Sequence, residues 1–463
     1  MTTELSVTNR LDLLFDLIYP GPDSRALRLS RYRALKLAQS LTYAANFSPW
    51  YKRQKDTLLK SADLLSKAHD RDKEPKLWED LITQALEPIA FLSESELARE
   101  PERFLAVSQN EVEGVVTVPT SASSGPAKRI FSSQSDLYAT TEFFRYGMLH
   151  LLDPLAHEKV ALLMSGSRPG SVGDLLTRAL SYWQIPVYVP GFIPSEKTKE
   201  FIHKILDFNP TSLVGLPSQL IYLARTSGAI KGLKSILLSG ESAPQSLKSA
   251  LSSIMGIKVF THYGLTEFGL GGAVECPHLS GPHLREADII CEIIDPNDSN
   301  LEDGKSGEIV LTSLNRLAMP LFRYRTGDFG ILTSEPCPCG SSMRRLKVLG
   351  RLSDGLTRGL TGGNSDSPLN LASLGEAIYK LPFVTCFRAA IKKAKNSPFK
   401  GPFLAVTLGL NSPSYPDDWL IEAREAIDGL LGSIMPFEVK FESNPQIPAA
   451  NGAKPTIEID LAD

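Results

Sequence analysis

Apolar residues recur at helical spacing through the first hundred residues of the chain. Leu11, Leu14, Phe15 and Ile18 lie three or four positions apart, and residues 35–41 repeat the pattern. This spacing places apolar side chains on one face of an amphipathic helix. The amino-terminal part of the chain is therefore predicted to be helical.

Short apolar runs separated by helical stretches replace this pattern after residue 115. The intervals between the runs are long enough for crossover helices, an alternation that is typical of an α/β sheet. The predicted buried strands are residues 159–165, 185–189, 212–216, 235–239 and 257–260. Ligands bind beyond the carboxyl ends of the strands in such a sheet. The loops expected there are residues 166–170, 215–218, 240–243 and 263–267.

The pattern becomes β-rich and hairpin-like over residues 289–332. Asp303 and Gly304 predict a turn between residues 291–294 and residues 308–311. A boundary is expected near Arg351, because the Gly-, Ser- and Thr-rich segment that follows is typical of a linker.

The last hundred residues predict a small α+β domain. Its expected elements are a helix (371–380), two strands (386–391 and 403–408), a helix (419–431) and a final strand (438–441). The predicted organisation is α/β: a large domain of residues 1–352 with a β-rich subdomain, and a small mobile domain of residues 353–463.

Length and composition limit the kind of protein. With 463 residues, 42% hydrophobic and 22% charged, the chain is long enough for two or three domains with ordinary cores. Its net charge of -3 provides no basic field, so nucleic acid is not an expected partner. The first apolar run contains Asp12 and Asp16, and no run is long enough to span a bilayer. The sequence predicts a cytoplasmic protein without a membrane anchor.

Residues 260–267, FTHYGLTE, follow an apolar run and contain the clearest candidate chemistry. A strand is expected to lead into a tight turn at Gly264, after which Thr266 offers a hydroxyl and Glu267 a carboxylate. These groups suit a metal-bound polyphosphate, because magnesium prefers oxygen ligands and one or two carboxylates.

Upstream, residues 120–128, TSASSGPAK, offer hydroxyls and closely spaced backbone N–H groups that suit ATP phosphates. The candidate phosphate-binding residues are Ser121, Ser123, Ser124, Gly125 and Lys128. Two further segments contribute candidates: residues 239–242, SGES, at the end of a predicted strand, and residues 323–328, RYRTGD, in the β-rich part.

Together these motifs resemble the adenylate-forming (acyl-CoA synthetase) superfamily, and the resemblance is closest to its phenylacetate-CoA ligase branch. It implies an ATP- and acid-binding domain followed by a small lid domain. The phosphate loop departs from the family pattern at two positions, where Ala122 replaces a glycine and Ala127 a proline.

The resemblance also implies residue roles. Tyr263 would lie against adenine, Gly264 and Thr266 would border the phosphates, and Glu267 would bind magnesium. The backbone of Gly240, Glu241 and Ser242 would pack on adenine. The carboxylate of Asp328 would accept hydrogen bonds from both ribose hydroxyls, and Arg351 would be a second ribose or phosphate contact unless it is a salt-bridged surface arginine. Ser242 is also expected to cap the next helix.

Two implied residues belong to the small domain. Asp354 matches the hinge about which that domain rotates, although only Arg358 and Gly359 of the usual following segment are present. Lys454, in residues 448–454, PAANGAK, matches the lysine that reaches the acyl carboxylate and α-phosphate. It lies one position further from its glycine than is usual, and an exposed tail lysine is the alternative.

The five cysteines are an odd number in a large chain, which argues against a disulfide framework. Cys337 and Cys339 lie two positions apart, and Cys276 with His283 supplies two more ligands, with His278 as the rival histidine. Four such ligands make a closed tetrahedral zinc site with a structural role. Buried cysteines without a metal are the alternative.

The hypothesis is a two-step ligase that uses ATP, magnesium and coenzyme A, with a structural zinc as an option. An acid is converted to an acyl-adenylate and then to a thioester. The branch resemblance implies that the acid is aromatic, and Tyr222 and Phe268 are expected near its acyl group. The partners are small molecules, and the sequence leaves a homodimer open. Two alternatives remain: transfer to a carrier protein or another nucleophile, and a catalytically silent nucleotide-binding homologue.

Overall fold

The structure is a computed structural model of the chain. It describes residues 10–67, 74–118, 127–166, 168–352, 370–393, 402–410, 412, 414–431, 435–443 and 457–460. Within these ranges, no helix has both the length and the apolar character that crossing a membrane requires.

Helices dominate the first part of the chain and alternate with strands thereafter. In chain order the helices are α1 (Arg10–Ile18), α2 (Arg25–Phe47), α3 (Lys55–Ser66), α4 (Pro75–Leu86), α5 (Glu94–Arg99), α6 (Gln134–Met148), α7 (Val172–Ser181), α8 (Thr198–Phe208), α9 (Pro217–Ser227), α10 (Gln245–Met255), α11 (Leu371–Ile378) and α12 (Asp417–Leu431).

The strands are short in the middle of the chain and longer towards its end. In chain order they are β1 (Val112–Val118), β2 (Lys128–Ser133), β3 (Val160–Leu163), β4 (Val187–Tyr188), β5 (Ser212–Gly215), β6 (Ser235–Leu238), β7 (Lys258–Tyr263), β8 (Ala273–Glu275), β9 (Pro282–Leu284), β10 (Ile289–Ile294), β11 (Ser306–Ser313), β12 (Tyr324–Thr333), β13 (Arg345–Arg351), β14 (Val384–Lys392), β15 (Phe403–Leu410), β16 (Phe437–Glu442) and β17 (Ile457–Asp460).

The described chain forms two compact units, each made of several segments. The first contains residues up to 150, residues 168–183 and residues 262–348. The second contains residues 151–167, 184–261 and those from 349 onwards. The domain boundary expected after residue 352 stays a prediction, because residues 353–369 lie outside the described part of the chain.

The first unit has a helical layer at its amino-terminal end, as the apolar spacing predicts. Helix α2 begins after Ser24, whose hydroxyl accepts a hydrogen bond from the N–H of Leu27 and so satisfies one of the free N–H groups of the first turn. Its apolar face, including Leu37 and Leu41, is fully buried and shares a core with Trp78 of α4. Burial of this face holds the helices together.

The β-rich part of the first unit is an antiparallel arrangement. Strands β10 and β11 pair in the register Ile294↔Glu308, and β11 pairs with β12. The turn expected at Gly304 is confirmed, because the two strands flank it and its φ of +88° is a conformation that glycine adopts at little cost. Strand β2 pairs with β1, and Lys128, which ends the Ser/Thr-rich segment of the sequence, is the first residue of β2.

The second unit contains a parallel sheet in the order β7-β6-β5-β3-β4. Its strands are connected through helices, and the central strands β3, β5 and β6 are buried on both faces, which is why they read as continuous apolar runs. The predicted strands here are confirmed, although β4 spans only Val187–Tyr188.

The carboxy-terminal part of the second unit is a four-stranded sheet in the order β16-β15-β14-β17, with α11 and α12. The predicted α+β composition is therefore confirmed, but the prediction that the strand at 438–441 is the last is wrong. Strand β17 follows it and pairs in parallel with β14. Helix α9 packs beside this sheet, where Arg225 donates a hydrogen bond to the carbonyl of Tyr379 over 2.8 Å.

Candidate active site

The turn after β7 is closed by backbone hydrogen bonds. The N–H of Leu270 donates to the carbonyl of Leu265 over 2.8 Å, and the N–H of Gly272 donates to that of Tyr263 over 2.9 Å. A Cβ atom at Gly264 would lie 2.1 Å from the carbonyl oxygen of Leu270, so glycine is required by close backbone approach. The predicted tight turn is confirmed, and Thr266 and Glu267 lie on the 3-10 turn that it contains.

The carboxylate of Glu267 is buried beside a cation and a phenol. Its Oε1 atom accepts hydrogen bonds from Nζ of Lys128 over 2.6 Å and from the hydroxyl of Tyr324 over 3.0 Å. Burial alone raises the pKa of the Glu267 carboxyl, but the charge and hydrogen bond of Lys128 and the Tyr324 hydroxyl outweigh burial and lower it. Glu267 is therefore an ionised carboxylate, and carboxylate oxygens are the ligands that magnesium prefers.

A second carboxylate contacts the same lysine. Oε1 of Glu94, the first residue of α5, lies 2.7 Å from Nζ of Lys128. Sequence analysis missed Glu94 because it is 34 positions from Lys128 and belongs to no local motif. It also missed the contact of Tyr324 with Glu267, although Tyr324 lies inside the RYRTGD segment.

Asp328 is bound to Tyr263. The Tyr263 hydroxyl donates a hydrogen bond to Oδ2 of Asp328 over 2.8 Å, while Thr326 accepts one from the backbone N–H of Asp328. Burial and the adjacent Asp328 charge raise the pKa of Tyr263 well above its ordinary value, so its hydroxyl remains a donor. The first unit thus brings Tyr263 and Asp328 into direct contact, and their nucleotide roles stay predictions. The neighbouring Arg325 is ion-paired with Glu308.

The SGES loop belongs to the second unit. Gly240 has a φ of +87°, and a Cβ atom there would lie 2.9 Å from a side-chain carbon of Leu216. The carboxylate of Glu241 accepts hydrogen bonds from both the backbone N–H and the hydroxyl of Ser218, which lies in the first turn of α9. The Glu241 side chain therefore holds the loop in place, leaving its backbone for any ligand contact.

The expectation that Ser242 caps the following helix is wrong. The capping position of α10 is Pro244, which has no side-chain hydrogen bond to the helix. The backbone N–H of Ser246 in the first turn is instead satisfied by the carboxylate of Glu376 over 3.0 Å.

The remaining candidates are not tested by this geometry. Arg351 ends β13 in the second unit and is partly buried. Its nucleotide role stays a prediction. The other predicted residues lie outside the described part of the chain: Ser121, Ser123, Ser124, Gly125, Asp354 and Lys454.

A group of three thiols and one imidazole is buried in the first unit. The ligand atoms of Cys276, His283, Cys337 and Cys339 all lie within 4.8 Å of one another. His278, the rival histidine, is exposed and is not in this group. The structure thus brings together all four residues that the sequence singles out.

Two distances within the group are close to those of a tetrahedral zinc site. Zn–S and Zn–N bonds of about 2.3 and 2.0–2.1 Å place two sulfurs about 3.8 Å apart and a sulfur and nitrogen about 3.6 Å apart. The Sγ atoms of Cys276 and Cys337 are 3.7 Å apart, and Sγ of Cys339 is 3.4 Å from Nε2 of His283. Nδ1 of His283 lies 3.0 Å from the carbonyl oxygen of Met343, the kind of contact that orients a metal-binding imidazole.

Aromatic residues surround the histidine of the central motif. The ring of His262 lies 5.9 Å from that of Phe143 and 6.2 Å from that of Phe144. Burial lowers the pKa of His262 to about 4, so its imidazole is neutral at pH 7. Phe268, expected near the acyl group, is buried and packs 6.1 Å from the ring of Tyr324.

Part of the chain is similar in sequence to known ligases. Over 167 residues the chain is 34% identical to a phenylacetate-coenzyme A ligase of Thermus thermophilus, an alignment that spans 34% of this chain and 38% of that protein. Over 169 residues it is 32% identical to the phenylacetate-coenzyme A ligase of Escherichia coli, with the same coverage. The chain thus matches well under half the length of these relatives.

Solved structures resemble the chain over most of its length. A 2-hydroxyisobutyryl-CoA ligase in the postadenylation state superposes with a TM-score of 0.71 at 19% identity, covering 92% of this chain and 88% of that one. This similarity shows a shared fold. A sequence model described as AMP-binding enzyme matches residues 60–317, more than half of the chain. The chain therefore belongs to the AMP-binding enzyme family.

Proposed function

We propose that the protein activates a carboxylic acid with ATP and transfers the acyl group to coenzyme A. The observation that carries this proposal is the buried, ionised Glu267 in contact with Lys128, on the turn that follows Tyr263. A buried carboxylate beside a cation, next to a tyrosine bound to Asp328, suits a nucleotide and its metal. The family relationship and the relatives named above support the same reaction class.

In the first step, a carboxylate oxygen of the acid attacks the α-phosphorus of ATP, and the bond to pyrophosphate breaks. Lys128 supplies a positive charge for the phosphate oxygens, and Glu267 would hold magnesium, which supplies further charge neutralisation when bound. Because the chemistry moves negative charge between oxygens, positioning and charge stabilisation are the main contributions of the protein. In the second step, the thiol of coenzyme A attacks the acyl carbon and AMP leaves.

Asp328 and Tyr263 would orient the nucleotide. Tyr263 donates to one oxygen of Asp328, which helps to orient the carboxylate, and a carboxylate can accept hydrogen bonds from ribose hydroxyls. Two predictions concern the small domain. Lys454 would reach the acyl carboxylate during adenylation, and Asp354 would be the hinge about which the domain rotates.

We infer an apolar, aromatic acid as substrate. Phe143 and Phe144 place aromatic rings beside the neutral His262, and Phe143 packs against Gly271, where any Cβ atom would meet the ring at 2.3 Å. Such surroundings favour a flat apolar group over a charged one, because burying an unpaired charge is costly. The names of the phenylacetate-coenzyme A ligases support the same class.

A structural zinc ion is part of this proposal. The four-residue group of Cys276, His283, Cys337 and Cys339 supplies a complete tetrahedral set, which leaves no open position for substrate. Zinc would tie Cys276, just after β8, and His283, in β9, to the segment between β12 and β13. The cytoplasmic location stays a prediction, and the homodimer stays the open question that the sequence leaves.

The test is formation of pyrophosphate and AMP from ATP and magnesium with a panel of aryl, arylacetic and short aliphatic acids, with and without coenzyme A. We expect pyrophosphate with an aromatic acid and repeated AMP turnover only with coenzyme A. Glu267→Gln should lower kcat/KM about 100-fold, the scale of losing one charge-stabilising contact. Lys454→Ala should reduce adenylation, and an unaffected rate would remove Lys454 from the mechanism.

The other outcomes identify the alternatives. Pyrophosphate without a response to coenzyme A indicates a carrier-protein thiol or another acceptor. ATP binding without pyrophosphate across the whole panel indicates a catalytically silent homologue and overturns the proposed function.

A further inference from the structure

The ammonium group of Lys128 is shared between two carboxylates. Its Nζ atom lies 2.6 Å from Oε1 of Glu267 and 2.7 Å from Oε1 of Glu94. The side chains of Lys128 and Glu267 are each 4% exposed and that of Glu94 is 22% exposed. One positive and two negative charges therefore meet in a nearly dry part of the first unit, where charges interact more strongly than in water.

Glu94 is not needed to satisfy the start of its own helix. Helix α5 begins with a capping box: the hydroxyl of Ser93 accepts a hydrogen bond from the N–H of Glu96, and the carboxylate of Glu96 accepts one from the N–H of Ser93. The Glu94 side chain takes no part in this capping box, and its carboxylate contacts Lys128.

Lys128 contacts the carboxylate that would hold magnesium in the proposed role of Glu267. Oε1 of Glu267 accepts from both Lys128 and Tyr324. Magnesium binds carboxylate oxygens at about 2.0–2.1 Å, so an ammonium group in contact with the same oxygen repels it. Engagement of Glu267 by a metal therefore weakens its bond to Lys128, and Glu94 is the carboxylate that still holds the lysine.

We propose that Glu94 is a positioning residue that retains the Lys128 ammonium group when Glu267 binds the metal of a metal–nucleotide complex. Glu94 thereby lowers the metal concentration that nucleotide binding requires, and it keeps Lys128 at the start of β2, next to the phosphates. This inference rests on the proposed nucleotide site, but it concerns metal and nucleotide binding and not turnover.

The variant that tests it is Glu94→Gln, which keeps the size of the side chain and removes its charge. Of these two residues, only Glu267 then carries a negative charge that pairs with Lys128. A metal therefore competes less well with Lys128 for Glu267. With adenosine 5′-(α,β-methylene)triphosphate bound, we expect the Kd for Mn²⁺, measured by electron paramagnetic resonance titration, to rise about tenfold, the scale of a charge-assisted hydrogen bond.

Binding of the same analogue in EDTA separates positioning from a structural defect. Removing a negative charge leaves metal-free nucleotide binding unchanged or tighter, whereas a distorted site weakens binding with and without metal. Glu94→Asp keeps the charge and should recover part of the Mn²⁺ affinity. Glu100→Gln is the matched control, because Glu100 lies just after the same helix and pairs with Arg103 at the surface.

An Mn²⁺ Kd within twofold of the wild-type value in Glu94→Gln overturns the inference, as does equal weakening in EDTA or in the Glu100→Gln control. If Glu94→Gln does not fold, Glu94→Asp decides: we expect weakening of about threefold, and an unchanged Kd overturns the inference. The Mn²⁺ titration does not depend on turnover. If the Kd for Mn²⁺ changes in Glu94→Gln but wild type forms no pyrophosphate, the proposed function is rejected and the role of Glu94 is not. Pyrophosphate formation with an unchanged Kd rejects the role of Glu94 alone.

Discussion

The hydroxyl of Tyr263 donates a hydrogen bond to Oδ2 of Asp328 over 2.8 Å, linking the end of β7 to the middle of β12. Both residues belong to motifs that sequence analysis assigns to the nucleotide, and they are 65 positions apart. The bond holds the carboxylate of Asp328 through its Oδ2 atom. This arrangement makes the ribose contact of Asp328 testable without knowing the acid.

Replacing Asp328 with Asn should remove the preference for ribose. A carboxylate accepts hydrogen bonds from two hydroxyls, whereas an amide presents one acceptor and one donor group. We expect Asp328→Asn to weaken ATP binding about tenfold and to bring the Kd for ATP and 2′-deoxy-ATP within twofold of each other, measured by calorimetry. Tyr263→Phe should weaken ATP binding about threefold.

The control for this prediction is Asp303→Asn, at a partly exposed aspartate of the β10–β11 connection. It should leave both affinities unchanged. Retention of the wild-type preference for ATP in Asp328→Asn would contradict the ribose assignment.

Loss of the proposed zinc should destabilise the protein. We expect elemental analysis by inductively coupled plasma mass spectrometry to find about one zinc ion per purified chain. We expect Cys337→Ser to lose that ion. Because a closed zinc site contributes to folding directly, the melting temperature of Cys337→Ser should fall by about 10 °C or more.

Cys386→Ala is the matched control, because Cys386 is also a buried cysteine but lies in β14, outside the four-residue group. It should keep its zinc. A purified wild-type chain without zinc, or a Cys337→Ser variant that retains it, would count against the metal site.

Sequence analysis predicts those parts of the fold whose pattern is local. The apolar runs at β5 and β6 are continuous because both faces of a parallel sheet are buried, so their short length and the turn residues that flank them identify them. Strand β17 was missed because it is short and pairs with β14, some 70 positions earlier in the chain. The cap at Ser242 was placed wrongly because Glu376, from a distant helix, satisfies the start of α10.

The candidate site divides in the same way. Lys128 and Glu267 are found by motif, since each lies in a segment with recognisable spacing. Their direct contact, and the second carboxylate from Glu94, depend on how three separate segments pack. The zinc group is an intermediate case: residue type and pair spacing suggest it, and packing selects His283 over His278.

Stability should depend on pH through His262. Burial lowers its pKa in the folded protein to about 4 from an ordinary 6.5, so the unfolded chain binds a proton more readily than the folded one. The resulting stability is present above pH 6.5 and is lost as the pH falls towards 4. Between pH 7 and pH 5, wild type should lose about 2 kcal/mol of unfolding free energy that His262→Gln does not lose.

Urea unfolding at the two pH values measures this difference. His203→Gln, at an exposed histidine of α8, should behave as wild type. Equal pH dependence in wild type and His262→Gln would mean that His262 is not buried in its neutral form.

Gly264 should tolerate no side chain. A Cβ atom there would lie 2.1 Å from the carbonyl oxygen of Leu270, and that carbonyl is backbone that cannot rotate away as a side chain can. Gly264→Ala must therefore shift the turn that carries Thr266 and Glu267, at a cost of about 1–3 kcal/mol of unfolding free energy or more. Since Glu267 then leaves its position beside Lys128, both nucleotide affinity in the presence of magnesium and stability should fall.

Gly429→Ala in α12 is the control. A Cβ atom there meets nothing within 4 Å, so this variant should be neutral or slightly stabilising. Wild-type melting and nucleotide affinity in Gly264→Ala would show that the turn adapts, and the close approach would then not explain the glycine.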